Sequence, residues 1–98
     1  MTIKKELEGQ SLCVAVEGRI DAATAPELEK ELTSALELIS DLTLDLKEVD
    51  YVSSSGLRLF VTLQKRMNQQ GSLTIRNVRP EIVNILKITG LYNLLNIQ

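Results

Sequence analysis

The chain has 98 residues, 44% apolar and 24% charged, enough for one core and too short for a second of ordinary domain size. Eleven Lys and Arg against thirteen Asp and Glu leave a net charge of −2, without the basic excess of a nucleic-acid binder. With no histidine, a single cysteine (Cys13) and three aromatic residues (Tyr51, Phe60, Tyr92), it lacks the usual general base, a disulfide, a cysteine-rich zinc site and a base-stacking platform.

Turn signals divide the chain evenly. Residues 3–8 and 12–17 are short runs joined at Gly9-Gln10, which predicts a β-hairpin. Thr24-Ala25-Pro26-Glu27 has the form of a capping box with proline in the first turn, and Leu28, Leu32, Ala35, Leu36 and Ile39 continue it as one helical stripe. Leu42, Leu44 and Leu46 alternate with polar residues as a third strand. A second helix is expected over about residues 55–70, ended by Gly71. Leu73 and Ile75 mark a fourth strand, and Pro80 opens a third helix carrying Ile82, Ile85 and Leu86, closed at Gly90. Residues 91–97 read equally as a short helix or a strand.

The order β-β-α-β-α-β-α predicts an α/β chain with parallel pairing across right-handed crossovers and an antiparallel first hairpin. Strands covered on both faces read as continuous apolar runs, whereas all four here alternate, with Lys5 the discordant member. The expectation is a two-layer fold: a mixed four- to five-stranded sheet with helices mainly on one face and the other face wet. Residues 1–98 are expected to form a single domain. The first six residues contain no apolar stretch of a signal peptide, and no window approaches the roughly 18 apolar residues of a membrane span. A cytoplasmic protein without membrane insertion is the expectation, and the lone Cys13 fits a reducing interior.

Residues 45–58 carry the least ordinary chemistry, with three hydroxyls (Ser53, Ser54, Ser55) entering the second helix ahead of Gly56. Serine is a favoured N-cap, which accounts for one of them. It does not account for three, nor for a glycine in the first turn, where it costs about 1 kcal/mol relative to alanine. Glycine permits close approach, and a helix start offers free N–H donors to an anion, so a phosphorylated hydroxyl competes with plain capping as the explanation. A nucleophile elbow needs glycine where Val52 stands, no histidine exists to take a proton, and no phosphate-binding Gly-x-x-x-x-Gly-Lys occurs. Catalysis by this chain is disfavoured, and no metal site or cofactor is expected. Val83 and Ile88 lie off the third helix's stripe and read as scattered surface residues.

The run Asp-Leu-Lys-Glu-Val-Asp-Tyr-Val-Ser-Ser-Ser-Gly-Leu-Arg-Leu-Phe-Val (residues 45–61) closely resembles the signature of STAS domains, especially bacterial anti-sigma factor antagonists. Val16-Glu17-Gly18-Arg19-Ile20-Asp21-Ala22-Ala23-Thr24-Ala25-Pro26-Glu27-Leu28 resembles the family's second characteristic stretch. The resemblance implies a partner-switching component and no enzyme. Its unmodified form binds an anti-sigma factor that is also a serine kinase, freeing the sigma factor; phosphorylation ends binding, and a serine phosphatase restores it.

By that resemblance the phospho-acceptor falls on Ser54, with Ser53 and Ser55 as runners-up because Ser53 stands where many members carry aspartate. Asp21 matches an acidic position beside the acceptor loop, and Ala22, Ala23, Thr24, Ser53, Ser55, Gly56, Leu57 and Arg58 are the expected partner-binding positions. The alternative reading is a STAS scaffold or transport-complex subunit with other protein partners.

Overall fold

The computed structural model describes residues 1–98 as β1 (Thr2–Glu8), β2 (Ser11–Ile20), α1 (Ala25–Leu36), β3 (Asp41–Val52), α2 (Ser54–Asn68), β4 (Ser72–Arg76) and α3 (Pro80–Ile88). The strands lie side by side in chain order, β1 antiparallel to β2 and the other two pairs parallel. Gly9 and Gln10 form the two-residue hairpin connection, with Glu8 opposite Ser11. Each parallel pair needs a crossover, and right-handed crossovers stepping the same way place their helices on one face. Because the order never reverses, the sheet has no switch-point crevice of the dinucleotide-binding kind.

The alternation seen in the strands is the core. Leu12, Val14, Val16 and Ile20 of β2, Leu42, Leu44 and Leu46 of β3, and Leu73 and Ile75 of β4 are buried with Leu28 and Leu32 of α1. Phe60, Leu63 and Met67 of α2 and Ile82 and Leu86 of α3 complete the same cluster, in which no charged side chain is buried. On the opposite face Cys13, Ala15, Thr43, Asp45 and Thr74 are half-buried. Lys5 pairs with Val14, so it points toward the helices, and there its Nζ meets Glu31 Oε2 of α1 at 2.9 Å. That contact at the sheet's edge accounts for the one charge on an apolar phase.

Several elements depart from the expectation. β3 runs six residues beyond Leu46, to Val52. Its buried positions change spacing from two to three, through Val49 to Val52, because the pairing with β2 shifts register twice in this stretch. Each irregularity adds a residue to β3 and bends the strand, whose last residue Val52 still pairs with Ile20 at the end of β2. The capping box at Thr24 does not form: Thr24 has helical backbone angles and makes no side-chain cap. Its hydroxyl instead donates to the Arg19 carbonyl at 2.7 Å and accepts from the Asp21 N–H at 2.8 Å.

α2 starts at Ser54, one residue earlier than expected, and ends at Asn68, short of Gly71. Gly71 meets a different need, since a β-carbon there would lie 1.6 Å from the Ser40 carbonyl oxygen. The terminal segment is neither a regular helix nor a strand. Leu95 is buried, and a single parallel bridge joins Ile97 to Ile75, with the Ile75 N–H donating to the Asn96 carbonyl at 2.9 Å. No helix is long and apolar enough to cross a membrane.

Candidate functional site

The two stretches singled out in the sequence meet where β2 and β3 end side by side. Arg19 pairs with Tyr51 and Ile20 with Val52, and the Ser53 N–H then donates to the Ile20 carbonyl at 2.8 Å. The turn into α1 and the turn into α2 therefore leave the sheet together. Gly56 makes this possible: a β-carbon there would stand 2.9 Å from Ile20 Cγ2 and 3.1 Å from the Ile20 carbonyl oxygen. Its place in the first turn of α2 is a packing requirement inside the chain. Gly56 and Leu57, expected among the partner-binding positions, are both buried, beneath the exposed Ser54 and Arg58.

Asp21 does the capping that Thr24 does not. Its Oδ1 accepts the backbone N–H groups of Ala23 and Thr24, each at 3.0 Å, which satisfies donors at the head of α1. The Thr24 N–H bond is the chief reason that the Asp21 carboxyl is held below its ordinary value. Burial opposes the shift, and the Ala23 N–H, the Thr24 hydroxyl and the Arg19 charge add to it. Arg19 Nε lies 3.7 Å from Asp21 Oδ2, and its guanidinium sits 4.2 Å from the centre of the Tyr51 ring. This contact is a cation–π stack that fixes Arg19 at the edge of the site.

The three serines differ sharply in surroundings. Ser53 occupies the N-cap position of α2 with extended backbone, yet its side chain makes no cap bond. Its Oγ is buried without a hydrogen-bond partner. Ser55 is half-buried, and its Oγ accepts from Arg58 Nη2 at 3.3 Å. Ser54 is exposed as the first residue of α2. The N–H groups of Ser54, Ser55 and Gly56 precede the first intrahelical bond, which Leu57 donates to the Ser53 carbonyl, so the hydroxyl of Ser54 stands over free donors.

α2 forms a ridge between two grooves. The groove toward α1 is lined by Ala22, Glu29, Ser55, Arg58 and Thr62 among others, and Ser55 opens on it. The groove toward the end of α3 is lined by Ser54, Arg58, Val61, Lys65, Thr89 and Leu91 among others, and Ser54 opens on that side. Arg58 borders both. Ala22, Ala23 and Thr24 lie in the turn that forms the other wall of the site, while Ile88, at the end of α3, is 85% exposed and Val83 is half-buried.

Sequence reading passed over Arg19 with Tyr51, and Lys65 in the second groove. A signal for the second was present. Residues 1–50 hold twelve acidic and five basic side chains, whereas residues 51–98 hold one acidic and six basic. The two helices that flank the serine turn carry that asymmetry, α1 with Glu27, Glu29 and Glu31 against Lys30, and α2 with Arg58, Lys65 and Arg66 and no carboxylate.

The STAS domain family model matches residues 2–98. The anti-sigma-B factor antagonist of Bacillus subtilis (strain 168) is 36% identical over 86 residues, covering 87% of this chain and 79% of that protein. Its counterpart in Staphylococcus aureus (strain NCTC 8325) is 38% identical over 87 residues, covering 87% and 81%. Among solved structures, the anti-sigma factor antagonist SpoIIAA in its unphosphorylated form superposes with a TM-score of 0.84 at 13% identity, covering 99% of this chain and 88% of that one. The phosphorylated form of Bacillus SpoIIAA gives 0.78 at 13% identity, covering 99% and 91%, and at that identity the likeness concerns the fold alone. With the family model spanning nearly every residue and relatives well above 30% identity, the chain belongs to the STAS domain family.

Proposed function

We propose that this protein is an anti-sigma factor antagonist in a partner-switching circuit of the cytoplasm, built as one STAS domain over residues 1–98. Its unmodified form binds an anti-sigma factor that is also a serine kinase and so frees a sigma factor. Phosphorylation of Ser54 ends that binding, and a serine phosphatase restores it. The reading is supported by the relatives named anti-sigma-B factor antagonist, which match 87% of the chain. The single observation that carries the choice of residue is the exposure of Ser54 beside a half-buried Ser53, whose hydroxyl is shut away from solvent, and an Arg58-engaged Ser55.

The chemistry asks little of this chain. The Ser54 oxygen forms a bond to the γ-phosphorus of ATP as the bond to the bridging oxygen breaks and ADP leaves. The hydroxyl proton passes to a base supplied by the kinase, which fits a chain with no histidine. The product carries about −1.5 to −2 charges and three acceptor oxygens. A partner packed over Ser54 would have to desolvate that charge, and the cost of several kcal/mol lowers affinity by orders of magnitude without refolding the domain.

Incubation with the co-purifying serine kinase and ATP tests the reading. One phosphate mapping to Ser54 is expected, and Ser54→Ala should bind the kinase but remain unmodified. A phosphate on Ser53 or Ser55 would overturn the residue choice. A partner that is neither a kinase nor an anti-sigma factor would favour a scaffold or transport-complex subunit instead.

A further inference from the structure

The Arg58 side chain has two places to go. Its Nη2 donates to Ser55 Oγ at 3.3 Å, a long bond to a neutral acceptor, on the side of α2 that faces α1. Four residues before it, Ser54 opens on the other side, in the groove that Arg58 also borders. Residues four apart on a helix are neighbours on its surface, so a group attached to the Ser54 oxygen comes within reach of the guanidinium. The charges around the two positions differ. Glu29 lines the α1 side, where Arg58 is the only cation. No carboxylate lines the Ser54 side, where Lys65 adds a second positive charge farther along α2.

We propose that Arg58 is the internal receptor of a phosphate on Ser54, drawn by modification from the Ser55 side of α2 to the Ser54 side. A guanidinium fork holds phosphate oxygens in a bidentate, charge-assisted geometry that a neutral serine hydroxyl cannot match. Phosphorylation then does more than add charge at one point. It also strips the α1–α2 groove of its cation and leaves Glu29 as the only charged group lining it. The modification is thereby read on both sides of the ridge, including a side the phosphate does not occupy. This inference rests on Ser54 as the acceptor, and Arg58 acts in it as a positioning residue.

The test installs phosphoserine genetically at position 54, so that no kinase is needed, and follows the phosphate by 31P NMR from pH 4 to 9. Arg58→Ala is expected to raise the second pKa of the phosphate by about half a unit to one unit, the size of an exposed opposite charge's influence. Arg58→Lys keeps the charge without the fork and should fall between the two. The side-chain nitrogen resonances of Arg58 should also move on modification while those of Arg66 stay. Superimposable 31P titrations for the parent and Arg58→Ala phosphoproteins would overturn the inference, as would an Arg58 resonance indifferent to the phosphate. Because Arg58 is exposed, its loss leaves the core intact. A phosphate that responds to Arg58 in a protein no kinase modifies at Ser54 would uphold the clamp and defeat the functional reading, so the two fail separately.

Discussion

A β-carbon built on Gly56 would stand 2.7 Å from Cγ1 of Val52, closer than two carbons can pack, so the serine-bearing turn seats on the end of β3 only through glycine. Gly56→Ala gains about 1 kcal/mol of helix propensity and loses about 1–3 kcal/mol to overpacking against Val52 and Ile20. The expected net result is a destabilised protein, with α2 displaced from β2 and weaker partner binding in the fraction that stays folded. Thermal unfolding together with a binding titration checks this, and a Gly56→Ala protein as stable as the parent would contradict the packing argument.

Gly71 offers a contrast far from the site. The added methyl of Gly71→Ala would meet the Ser40 main chain, with a carbonyl oxygen at 1.6 Å, where no side chain can yield. A loss of at least about 3 kcal/mol is expected, larger than at Gly56, because the turn before β4 must move as a whole. Chemical denaturation of the two variants side by side gives the ranking.

Ser53 reverses the usual rule for helix caps. Replacing an N-cap serine by alanine ordinarily costs about 1 kcal/mol. Here the Ser53 hydroxyl caps nothing and is buried without a partner. Ser53→Ala is therefore expected to leave stability unchanged or raise it by up to about 1 kcal/mol, since a desolvated, unpaired hydroxyl is removed. A loss comparable to ordinary cap removal, measured by denaturation, would mean that the hydroxyl has a partner in solution.

Acid should weaken the fold through Asp21, Glu31 and Asp45, whose carboxyls are all held below their ordinary values. Backbone N–H bonds lead at Asp21 and the Lys5 bond at Glu31, while at Asp45 burial is outweighed by Asn77, Lys47 and Arg76. For each, the unfolded chain takes up protons at higher pH than the native one, so the stabilisation is complete above the unfolded value and disappears as pH falls through the lower folded value. Stability should hold from pH 7 down to about 5 and decline below about 4. Asp21→Asn, which keeps the acceptor for Ala23 and Thr24 but does not titrate, should show a shallower decline.

Much of this arrangement was legible from alternation alone. The phase of Leu12, Val14 and Val16, and of Leu42, Leu44 and Leu46, fixes which face of the sheet the helices cover. The continuation of β3 was not legible, because buried residues three apart, as at Leu46, Val49 and Val52, match no strand period until the pairing with β2 is known. Thr24 and Glu27 have the spacing of a cap, but Asp21 reaches the same N–H groups first, and local spacing cannot show that competition. Three adjacent serines look alike in sequence. Only their places at the head of α2 bury the Ser53 hydroxyl, make Ser55 an acceptor for Arg58 and leave Ser54 on the surface.

The division of charge between the two halves of the chain has a kinetic consequence. At a net charge of −2 the molecule exerts little long-range pull on a partner, yet the acidic α1 and the basic α2 set charges of opposite sign on the two sides of the serine turn. A charged partner arriving by diffusion would be rotated before it touched, and more encounters would begin with the turn facing the right way. Salt screens that torque beyond a Debye length, about 8 Å at physiological strength, and added salt shortens its reach further. Association would slow, while the lifetime of the formed complex would change little.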